Sequence, residues 1–397
     1  MRHLMTLAAI LALTACASTQ TETRPGPGDT TTPTPVAFSL APVSFRDIPD
    51  WQSTDLAPAL SAFRRSCAGR AARDPTAALP GGGQYGGTVG QWAPACAAAL
   101  SVQPGGERAF FEQNFVPHAV RGDGEARITA YYEPIIQARR TPEGEYTQPL
   151  LTRPSDMVSV DIAAFAEAYD NEALRGAPRR LTGQISGTDV RPYPQRGQIT
   201  PYQGQAFAYA HPVDVYNLQI QGSGRIAFPD GTQARAAFAA QNGYRWRSAL
   251  GALRDSGQLP NATWANFRNW ANQNGPAATQ QALNADPSYV FFQEERIDDP
   301  AIGPRGAAGV NLTPLGSIAV DPAYHPYGAV VFVDATYQDR PFRRLLVAQD
   351  TGGAIRRGPL RGDVFWGSGD EAGRAAEGMN AQGPRWWTLL PRGVPVS

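Results

Sequence analysis

Lysine is absent from this sequence of 397 residues, so all 35 basic residues are arginines. They balance 35 acidic residues and give a formal net charge of zero. No basic run is long enough to follow a phosphate backbone. The sequence therefore argues against nucleic acid as a partner.

Histidine is also scarce, with four residues scattered along the chain. This scarcity argues against a His-dependent nucleophilic triad and against a His-rich metal site, so we expect no metal ion and no other cofactor. Acidic residues must then carry any acid/base chemistry. Glycine and proline are abundant, at 41 and 35 residues without a repeat period, which favours a loop-rich or β-rich protein.

The first of only three cysteines, Cys16, closes a segment that looks like an export signal. Residues 4–13 are apolar but too short to span a bilayer, and Leu-Thr-Ala-Cys follows. This ending resembles a bacterial lipoprotein signal, in which the cysteine is acylated; a plain secretory peptide with an incidental cysteine is the alternative. We expect residues 1–16 to be the signal, with Cys16 anchored in the lipid bilayer at the periplasmic face of the outer membrane. Ala17 favours that destination over inner-membrane retention.

The other two cysteines, Cys67 and Cys96, either form a disulfide or remain buried thiols. In an exported chain the disulfide is favoured. Residues 17–36 consist mostly of Ser, Thr, Pro and Gly, and this composition predicts a flexible linker. The globular part is expected to begin near residue 37.

Hydrophobic periodicity predicts short strands and helices without a parallel βαβ rhythm. Strands are predicted at 127–137, 288–292, 328–337, 342–349 and 385–390, and two more around the Gly-Ser-Gly turn within 215–228. Helices are predicted at 54–67, 107–115, 161–175, 244–256, 262–274 and 277–284, with Gly275-Pro276 separating the last two. The predicted fold class is α+β, mainly β with helices, and the C-terminal third favours a small barrel or sandwich.

Aspartates near predicted strand ends are the acid/base candidates: Asp334, Asp350 and Asp363. A turn cap or a structural hydrogen bond is the alternative for each of them; from spacing alone it is the favoured interpretation of all three, and most strongly of Asp334. Gly352 and Gly353 would let a bulky substrate approach the backbone. Trp366 would offer an apolar face to a sugar ring.

Further polar and aromatic residues are candidates for lining a sugar cleft. Tyr131, Tyr132 and Glu133 lie in the first predicted strand. The second set alternates along a predicted strand and would share one face: Gln219, Gln221 and Ser223. An ordinary exposed strand face is the alternative for that set.

Five segments resemble motifs of one family, the membrane-bound lytic murein transglycosylase A family. Its GYYxPxIxAR signature is similar to residues 130–139 (AYYEPIIQAR), and its VQGSG motif to residues 218–224 (LQIQGSG). Its NPSFVFF segment is similar to residues 284–292 (NADPSYVFF). Its DxGGAI motif is similar to residues 348–355 (AQDTGGAI), and its D-x-aromatic-x-G-x-G-x-x-A-G motif to residues 363–373 (DVFWGSGDEAG).

The resemblance implies a double-psi β-barrel domain that is split in sequence. A second β-rich domain would be inserted into it, with a glycan groove between the two. The implied barrel comprises residues 37–134 and 297–397, and the implied glycan-binding insertion comprises residues 135–296. Residues 37–125 match the family motifs only weakly.

The resemblance also implies a chemistry. Asp363 would be the catalytic acid/base and Asp350 a supporting acid in the groove. The implied enzyme cuts the bond between N-acetylmuramic acid and N-acetylglucosamine in peptidoglycan, using the C6 hydroxyl of the muramic acid as nucleophile and leaving a 1,6-anhydro end. Asp363 must be protonated to begin, so we predict that burial raises its pKa. This chain departs from the motifs at Ala130, where the family has glycine, and in extra residues between the two aspartates, including Pro359.

The substrate-binding residues implied for the groove are Tyr131, Tyr132, Gln219, Gln221, Ser223, Gly352, Gly353 and Trp366. Peptidoglycan strands are the implied partner, and cell-wall synthesis or division proteins are further candidates. Three alternatives stay open: a hydrolase that uses water, a non-catalytic glycan-binding lipoprotein, and an aspartic protease. The protease is suggested by Asp350-Thr351-Gly352, but such enzymes need two copies of that motif and this sequence has one.

Overall fold

The structure, a computed structural model, describes residues 37–175, 177, 180–200 and 205–396. The predicted signal with Cys16 and the predicted linker 17–36 lie outside the described residues. Among the residues that are described, no helix is long and apolar enough to cross a membrane.

Both strands and helices are short. The strands are β1 Phe38–Pro42, β2 Phe115–Gly122, β3 Arg127–Glu133, β4 Ile135–Arg139, β5 Gln148–Leu151, β6 Met157–Asp161, β7 Arg180–Ser186, β8 Asp189–Pro192, β9 Ala206–Ala210, β10 Gly224–Ala227, β11 Gln233–Gln241, β12 Val290–Arg296, β13 Ser317–Val320, β14 Val330–Tyr337, β15 Arg340–Asp350, β16 Arg361–Ser368, β17 Asn380–Gln382 and β18 Arg385–Pro391. The helices are α1 Ala57–Arg70, α2 Val89–Leu100, α3 Glu107–Asn114, α4 Ile162–Ala168, α5 Glu172–Arg175, α6 Pro212–Gln221, α7 Ala249–Asp255, α8 Trp264–Leu283 and α9 Gly369–Glu377.

A nine-stranded sheet gathers strands from both ends of the chain, in the order β1-β2-β18-β14-β15-β13-β16-β3-β17. Most of its pairs are antiparallel, but β13 runs parallel to β15 and β16 runs parallel to β3. These parallel pairs join strands that are distant in sequence, so the connections cross, as a double-psi barrel requires. The apolar strand β14 is buried along most of its length because the main core closes over it.

A six-stranded sheet, in the order β12-β11-β10-β4-β9-β5, is built only from the intervening segment. A three-stranded sheet, β6-β7-β8, lies in the same segment. The predicted fold class is therefore confirmed: an α+β chain in which a second β-rich domain interrupts the first.

Helices α1 and α2 pack against the main core and are joined by a disulfide. Cys67 of α1 and Cys96 of α2 have Cα atoms 5.5 Å apart and share the bond. Of the two alternatives for these cysteines, the structure thus contains the bridge.

The predicted break at Gly275-Pro276 is a kink within α8. Gly275 adopts φ 79° and ψ 177°, a conformation outside the helical region, while the flanking residues remain helical. Proline lacks the N–H that would continue the hydrogen-bond ladder, and glycine accepts the positive φ without strain.

The prediction of two strands within 215–228 is wrong in its first half. Residues Pro212–Gln221 form helix α6, and only Gly224–Ala227 form a strand. Pro212 occupies the first turn, and the His211 side chain accepts a hydrogen bond from the N–H of Val213. The helix ends at Gly222, whose φ of 85° is left-handed. Val213 and Tyr216 are three residues apart, so both lie on one buried helical face.

Candidate active site

Four residues lie in one row across neighbouring strands of the nine-stranded sheet. Asp363 of β16 is the register partner of Thr129 on β3 and of Ala319 on β13. Ala319 is in turn the register partner of Asp350 on β15. We call Thr129, Asp363, Ala319 and Asp350 the aspartate row. Since neighbouring strands lie about 4.8 Å apart, the Cα atoms of the two aspartates are roughly 10 Å apart.

A β-bulge places Asp350 in this row. The pairing of β13 with β15 slips between Ile318 and Ala319, so one extra residue of β15 is accommodated there. Gln349 turns into the core and its amide donates to Ser66 and to the carbonyl of Ala62, at 2.8 and 2.7 Å. Asp350, the next residue, is left half-buried on the open side. Bulges near active sites commonly redirect a side chain in this way.

Asp363 is half-buried and held by one hydroxyl. Thr129 donates a hydrogen bond of 2.5 Å from its Oγ1 to Oδ1 of Asp363, and Arg361 donates to the same Oγ1 at 2.9 Å. Because Arg361 occupies an acceptor position on Thr129, the hydroxyl proton is directed at the carboxylate. Among the described residues no hydrogen bond occupies Oδ2 of Asp363.

Burial raises the pKa of Asp363. The Thr129 hydrogen bond and the charge of Arg361 lower it in part, while the charge of Asp350 raises it further. The direction is the one predicted from the sequence for a carboxyl that must carry a proton.

Asp350 accepts more hydrogen bonds than Asp363 does. Its Oδ1 accepts from the backbone N–H groups of Ala307 and Thr351, both at 2.9 Å, and its Oδ2 accepts from the Tyr131 hydroxyl at 2.8 Å. Burial raises the pKa of Asp350, and these three donors oppose that rise. The Tyr131 ring packs against Phe365, two residues beyond Asp363 on the same face of β16, with centroids 5.4 Å apart.

Tyr132 joins β3 to helix α6. Asn217 donates to the Tyr132 hydroxyl at 2.9 Å, and the Tyr132 backbone N–H donates to Oε1 of Gln221 at 3.3 Å. Gln221 and the adjoining Ser223, in the turn after α6, are both half-buried beside this junction.

Gln219 does not share a face with Gln221 and Ser223, and that prediction is wrong. A helix, not a strand, carries it, so it points into the inserted domain. There its Oε1 accepts from Arg196 at 2.5 Å and its amide donates to the carbonyl of Val290 at 3.2 Å.

Glu133 was predicted to line the cleft but is fully buried at the junction of the two large sheets. Its Oε1 accepts from Arg235 at 2.6 Å, and its Oε2 accepts from Arg225 at 2.9 Å and from Ser368 at 2.6 Å. We call Glu133, Arg225, Arg235 and Ser368 the junction cluster. Its hydrogen bonds and ion pairs connect the ends of β3 and β16 to β10 and β11. The cluster therefore sets the position of the second domain relative to the first.

Trp366 is not brought together with the aspartates. Side chains alternate along a strand, so Trp366 lies on the face of β16 opposite to Asp363. It packs on the Phe342 and Tyr337 rings, with centroids 5.6 and 5.5 Å apart. A contact between Trp366 and a sugar ring stays a prediction, and it would lie away from the aspartate row.

Gly352 and Gly353 come two and three residues after Asp350 and border open space. A Cβ on Gly353 would meet nothing within 4 Å, and one on Gly352 would meet only Ile355, at 3.6 Å. A large ligand can thus reach the backbone beside Asp350.

The segment between the two aspartates is anchored to buried groups. His325 donates from Nε2 to the carbonyl of Pro359 at 2.7 Å and accepts at Nδ1 from Tyr85 at 2.6 Å. Burial lowers the pKa of His325 to about 4, so it is neutral and this arrangement is stable near neutrality. Asp321 accepts from the N–H of Gly358 at 3.0 Å. These contacts hold the chain that leads into Asp363.

Asp334 lies on β14 and its carboxylate pairs with Arg343 and Arg385. This structural role is the interpretation favoured from the sequence. Within the described part of the chain, no group of three or more His, Cys, Asp or Glu side chains is placed to hold a metal ion.

Comparison with known proteins identifies the family. Residues 127–293 match the family model described as the MltA specific insert domain, and residues 316–389 match the 3D domain. The crystal structure of a membrane-bound lytic murein transglycosylase from Agrobacterium tumefaciens is 30% identical with a TM-score of 0.73, and the alignment covers 89% of this chain and 98% of that one. This chain belongs to the membrane-bound lytic murein transglycosylase A family.

Other members of the transglycosylase A family are also similar to this chain. The crystal structure of MltA from Neisseria gonorrhoeae is 28% identical with a TM-score of 0.73, covering 91% of this chain and 95% of that one. The curated membrane-bound lytic murein transglycosylase A of Escherichia coli strain K12 is 29% identical over 279 residues, which is 66% of this chain. The match spans 65% of the length of that curated relative. The family predicted from the motifs is thus confirmed.

Proposed function

We propose that this chain is a lytic transglycosylase that cleaves the bond between N-acetylmuramic acid and N-acetylglucosamine in peptidoglycan and leaves 1,6-anhydromuramic acid ends. The observation that carries the proposal is Asp363, a half-buried carboxyl whose pKa is raised by burial and whose Oδ1 is fixed by Thr129. The names of the relatives, which denote lytic murein transglycosylases, support the activity.

In the proposed reaction, protonated Asp363 donates its proton from Oδ2 to the glycosidic oxygen while the bond from that oxygen to C1 of the muramic acid breaks. Positive charge develops at C1. The C6 hydroxyl oxygen of the same sugar then bonds to C1, and its proton returns to Asp363. Atoms and charges balance without water, and one acid/base residue serves both steps.

Asp350 is assigned an electrostatic role. Its three donors fix the direction of the carboxyl and oppose the rise in pKa that burial causes, and its ionised form would place a negative charge beside the positive charge that develops at the sugar ring. This geometry suits a residue that stabilises the transition state without exchanging a proton.

The groove is proposed to lie along the open side of the aspartate row. Residues 37–134 and 297–397 would form the catalytic domain, and residues 135–296 the glycan-binding domain. We propose that the glycan contacts Tyr131, Tyr132, Gln221, Ser223, Gly352 and Gly353, because these residues adjoin the aspartates or the junction beside them.

The cellular location is also a proposal. The motif at Cys16 supports a lipid-anchored protein at the periplasmic face of the outer membrane, acting in cell-wall remodelling. Relatives whose names say membrane-bound agree with an anchored protein. Proteins of cell-wall synthesis or division are proposed as partners at that location.

The activity can be tested on purified sacculi with the full-length protein in detergent. We expect mass spectrometry to find released muropeptides lighter by one water than hydrolytic products. Reducing-end fragments of full mass would instead show a hydrolase, with Asp350 as the first candidate for water activation. Binding to sacculi without released fragments would show a glycan-binding protein.

Thr129 is expected to be a positioning residue for Asp363. In Thr129→Val the hydroxyl that fixes Oδ1 is lost, and we expect kcat to fall by roughly tenfold to a hundredfold, because a hydrogen bond to a charged group contributes about 1.5–3 kcal/mol. KM should change little. Because this hydrogen bond lowers the pKa of Asp363, its loss should raise that pKa and move the alkaline limb of the kcat profile to higher pH.

Two variants separate this role from a general structural effect. Thr129→Ser keeps the hydroxyl and should restore most of the rate. Thr336→Val, at an exposed position of β14, should change neither the rate nor the pH profile. An unchanged pH profile in Thr129→Val would argue against the positioning role.

A further inference from the structure

An arginine without a counter-charge is buried at the end of α1. Arg70 is 5% exposed, and no carboxylate among the described residues pairs with it. Its Nη2 contacts the sulfur atoms of Cys67 and Cys96 at 3.7 and 3.8 Å, and its guanidinium lies 4.9 Å from the centre of the Trp92 ring. Its Nε and Nη1 have no hydrogen-bond partner among the described residues. A buried donor left unpaired is costly, so this guanidinium is unusual.

Arg70 borders a small open recess of about 10 Å³, which we call the Arg70 recess. Arg73 also lines it and is exposed, so two cations adjoin the same space. The recess has room for about one water-sized group. Such a space admits one oxygen of a carboxylate but not a sugar ring.

A glycine packs directly against the guanidinium. Gly328 has a φ of +89°, and a Cβ at this position would lie 2.5 Å from Nη1 of Arg70. Any side chain here would therefore collide with Nη1. The glycine thus allows the guanidinium to lie at the wall of the recess.

The recess adjoins the aspartate row. Gly328, which lines the recess, donates its N–H to the carbonyl of Ala348, two residues before Asp350 on β15. Ala308, on another wall, donates to the carbonyl of Gln349 at 3.0 Å, and its neighbour Ala307 donates to Asp350 at 2.9 Å. A ligand that spans the sugar at Asp350 and the recess therefore needs to reach only across these few residues.

We propose that the Arg70 recess binds a carboxylate of the peptide stem carried by the muramic acid beside the cleaved bond. This inference rests on the proposed function, since it places a part of the same substrate. Guanidinium groups form charge-assisted hydrogen bonds with carboxylates, and two donors of Arg70 have no partner among the described residues. The stem carboxylate would supply the negative charge that the protein does not.

The test compares soluble glycan chains of matched length with and without their peptide stems, using the full-length protein in detergent. For the unmodified protein we expect kcat/KM to be higher with stems by roughly tenfold to a hundredfold, the range for one charge-assisted hydrogen bond. In Arg70→Met and in Arg73→Gln this ratio should fall toward one. Arg65→Gln, on the same helix but not on the recess, should keep the full ratio.

The outcomes separate this inference from the proposed function. Absence of anhydro products from both substrates would overturn the proposed function. Anhydro products from both at equal kcat/KM, or a full stem preference in both recess variants, would overturn the inference alone. If Arg70→Met fails to fold, Arg73→Gln decides, because its side chain is exposed at the rim. Free acetate and the stem could raise the melting temperature equally while the rate shows no preference for stems. That result would show a site for small anions and would also overturn the inference.

Discussion

Replacing Asp363 by Asn is expected to abolish the release of anhydro muropeptides, lowering kcat/KM by roughly 10²–10⁴-fold, the range for loss of a general acid. Asn keeps the size of the side chain and can still accept the hydrogen bond from Thr129, so the geometry should survive. It cannot donate a proton and take it back. The measurement is the initial rate of product release from sacculi, with glycan binding measured in parallel and expected to persist.

The same variant has an expected effect on stability. Burial raises the folded-state pKa of Asp363, so the folded protein holds this proton more tightly than the unfolded chain does. Stability is therefore lost as pH rises from the unfolded pKa of about 3.9 through the raised folded pKa, by about 1.4 kcal/mol for each pH unit that separates the two pKa values. Asp363→Asn should be more stable than the unmodified protein at neutral pH, and the difference should vanish in acid.

Asp339→Asn is the matched control for this experiment. Asp339 is exposed in the turn between β14 and β15, and its φ of 58° is tolerated by Asn. Rate and stability should both stay at the level of the unmodified protein. Full activity in Asp363→Asn would remove Asp363 as the acid, and a lost rate accompanied by a lowered melting temperature would attribute the loss to misfolding.

The largest expected effect on stability is at the junction cluster. In Glu133→Gln two buried guanidinium groups, those of Arg225 and Arg235, lose their shared carboxylate. Removing one partner of a buried ion pair costs about 3–5 kcal/mol, because the charge left behind cannot be solvated. We expect a free energy of unfolding lower by that amount in urea titrations. Activity at low temperature should fall as well, because the cluster fixes the two large sheets relative to each other.

Glu294→Gln provides the comparison. Glu294 pairs with Arg140 on the surface, where both side chains are substantially exposed. Exposed pairs contribute about 0–1 kcal/mol, so this change should be nearly neutral. Equal effects of the two substitutions would show that the junction cluster is solvated and carries little of the stability.

Much of the secondary structure follows from local patterns. The predicted strand 328–337 corresponds to β14, and the predicted helix break at Gly275-Pro276 is a kink, because local hydrophobicity and the geometry of glycine and proline act within a few residues. The segment 215–228 fails because its pattern fits either a helix or a strand. Packing in the inserted domain, where Tyr216 and Leu218 are buried, decides for the helix.

The candidate site can be predicted in part, because short sequence motifs contain some of its residues. The motifs pointed to Asp350 and Asp363, and the structure places both in one row. They did not point to Thr129, although it lies two residues before Tyr131 and therefore on the same strand face. Glu133 was misassigned and Trp366 does not lie beside the aspartates, because sequence shows that a residue is polar or aromatic but not what covers it.

The sequence by itself determined the family and the α+β class and indicated the two candidate aspartates, since each depends on residue types at short spacing. The tertiary structure alone decided the register that brings Thr129 to Asp363 and the bulge that turns Asp350 rather than Gln349 to the open side. It also decided that Arg70 is buried without a carboxylate partner among the described residues. Pairing between strands that are distant in the chain is set by how the whole sheet packs against its core. The free energy of this packing is shared among many residues and leaves no local signature in the sequence.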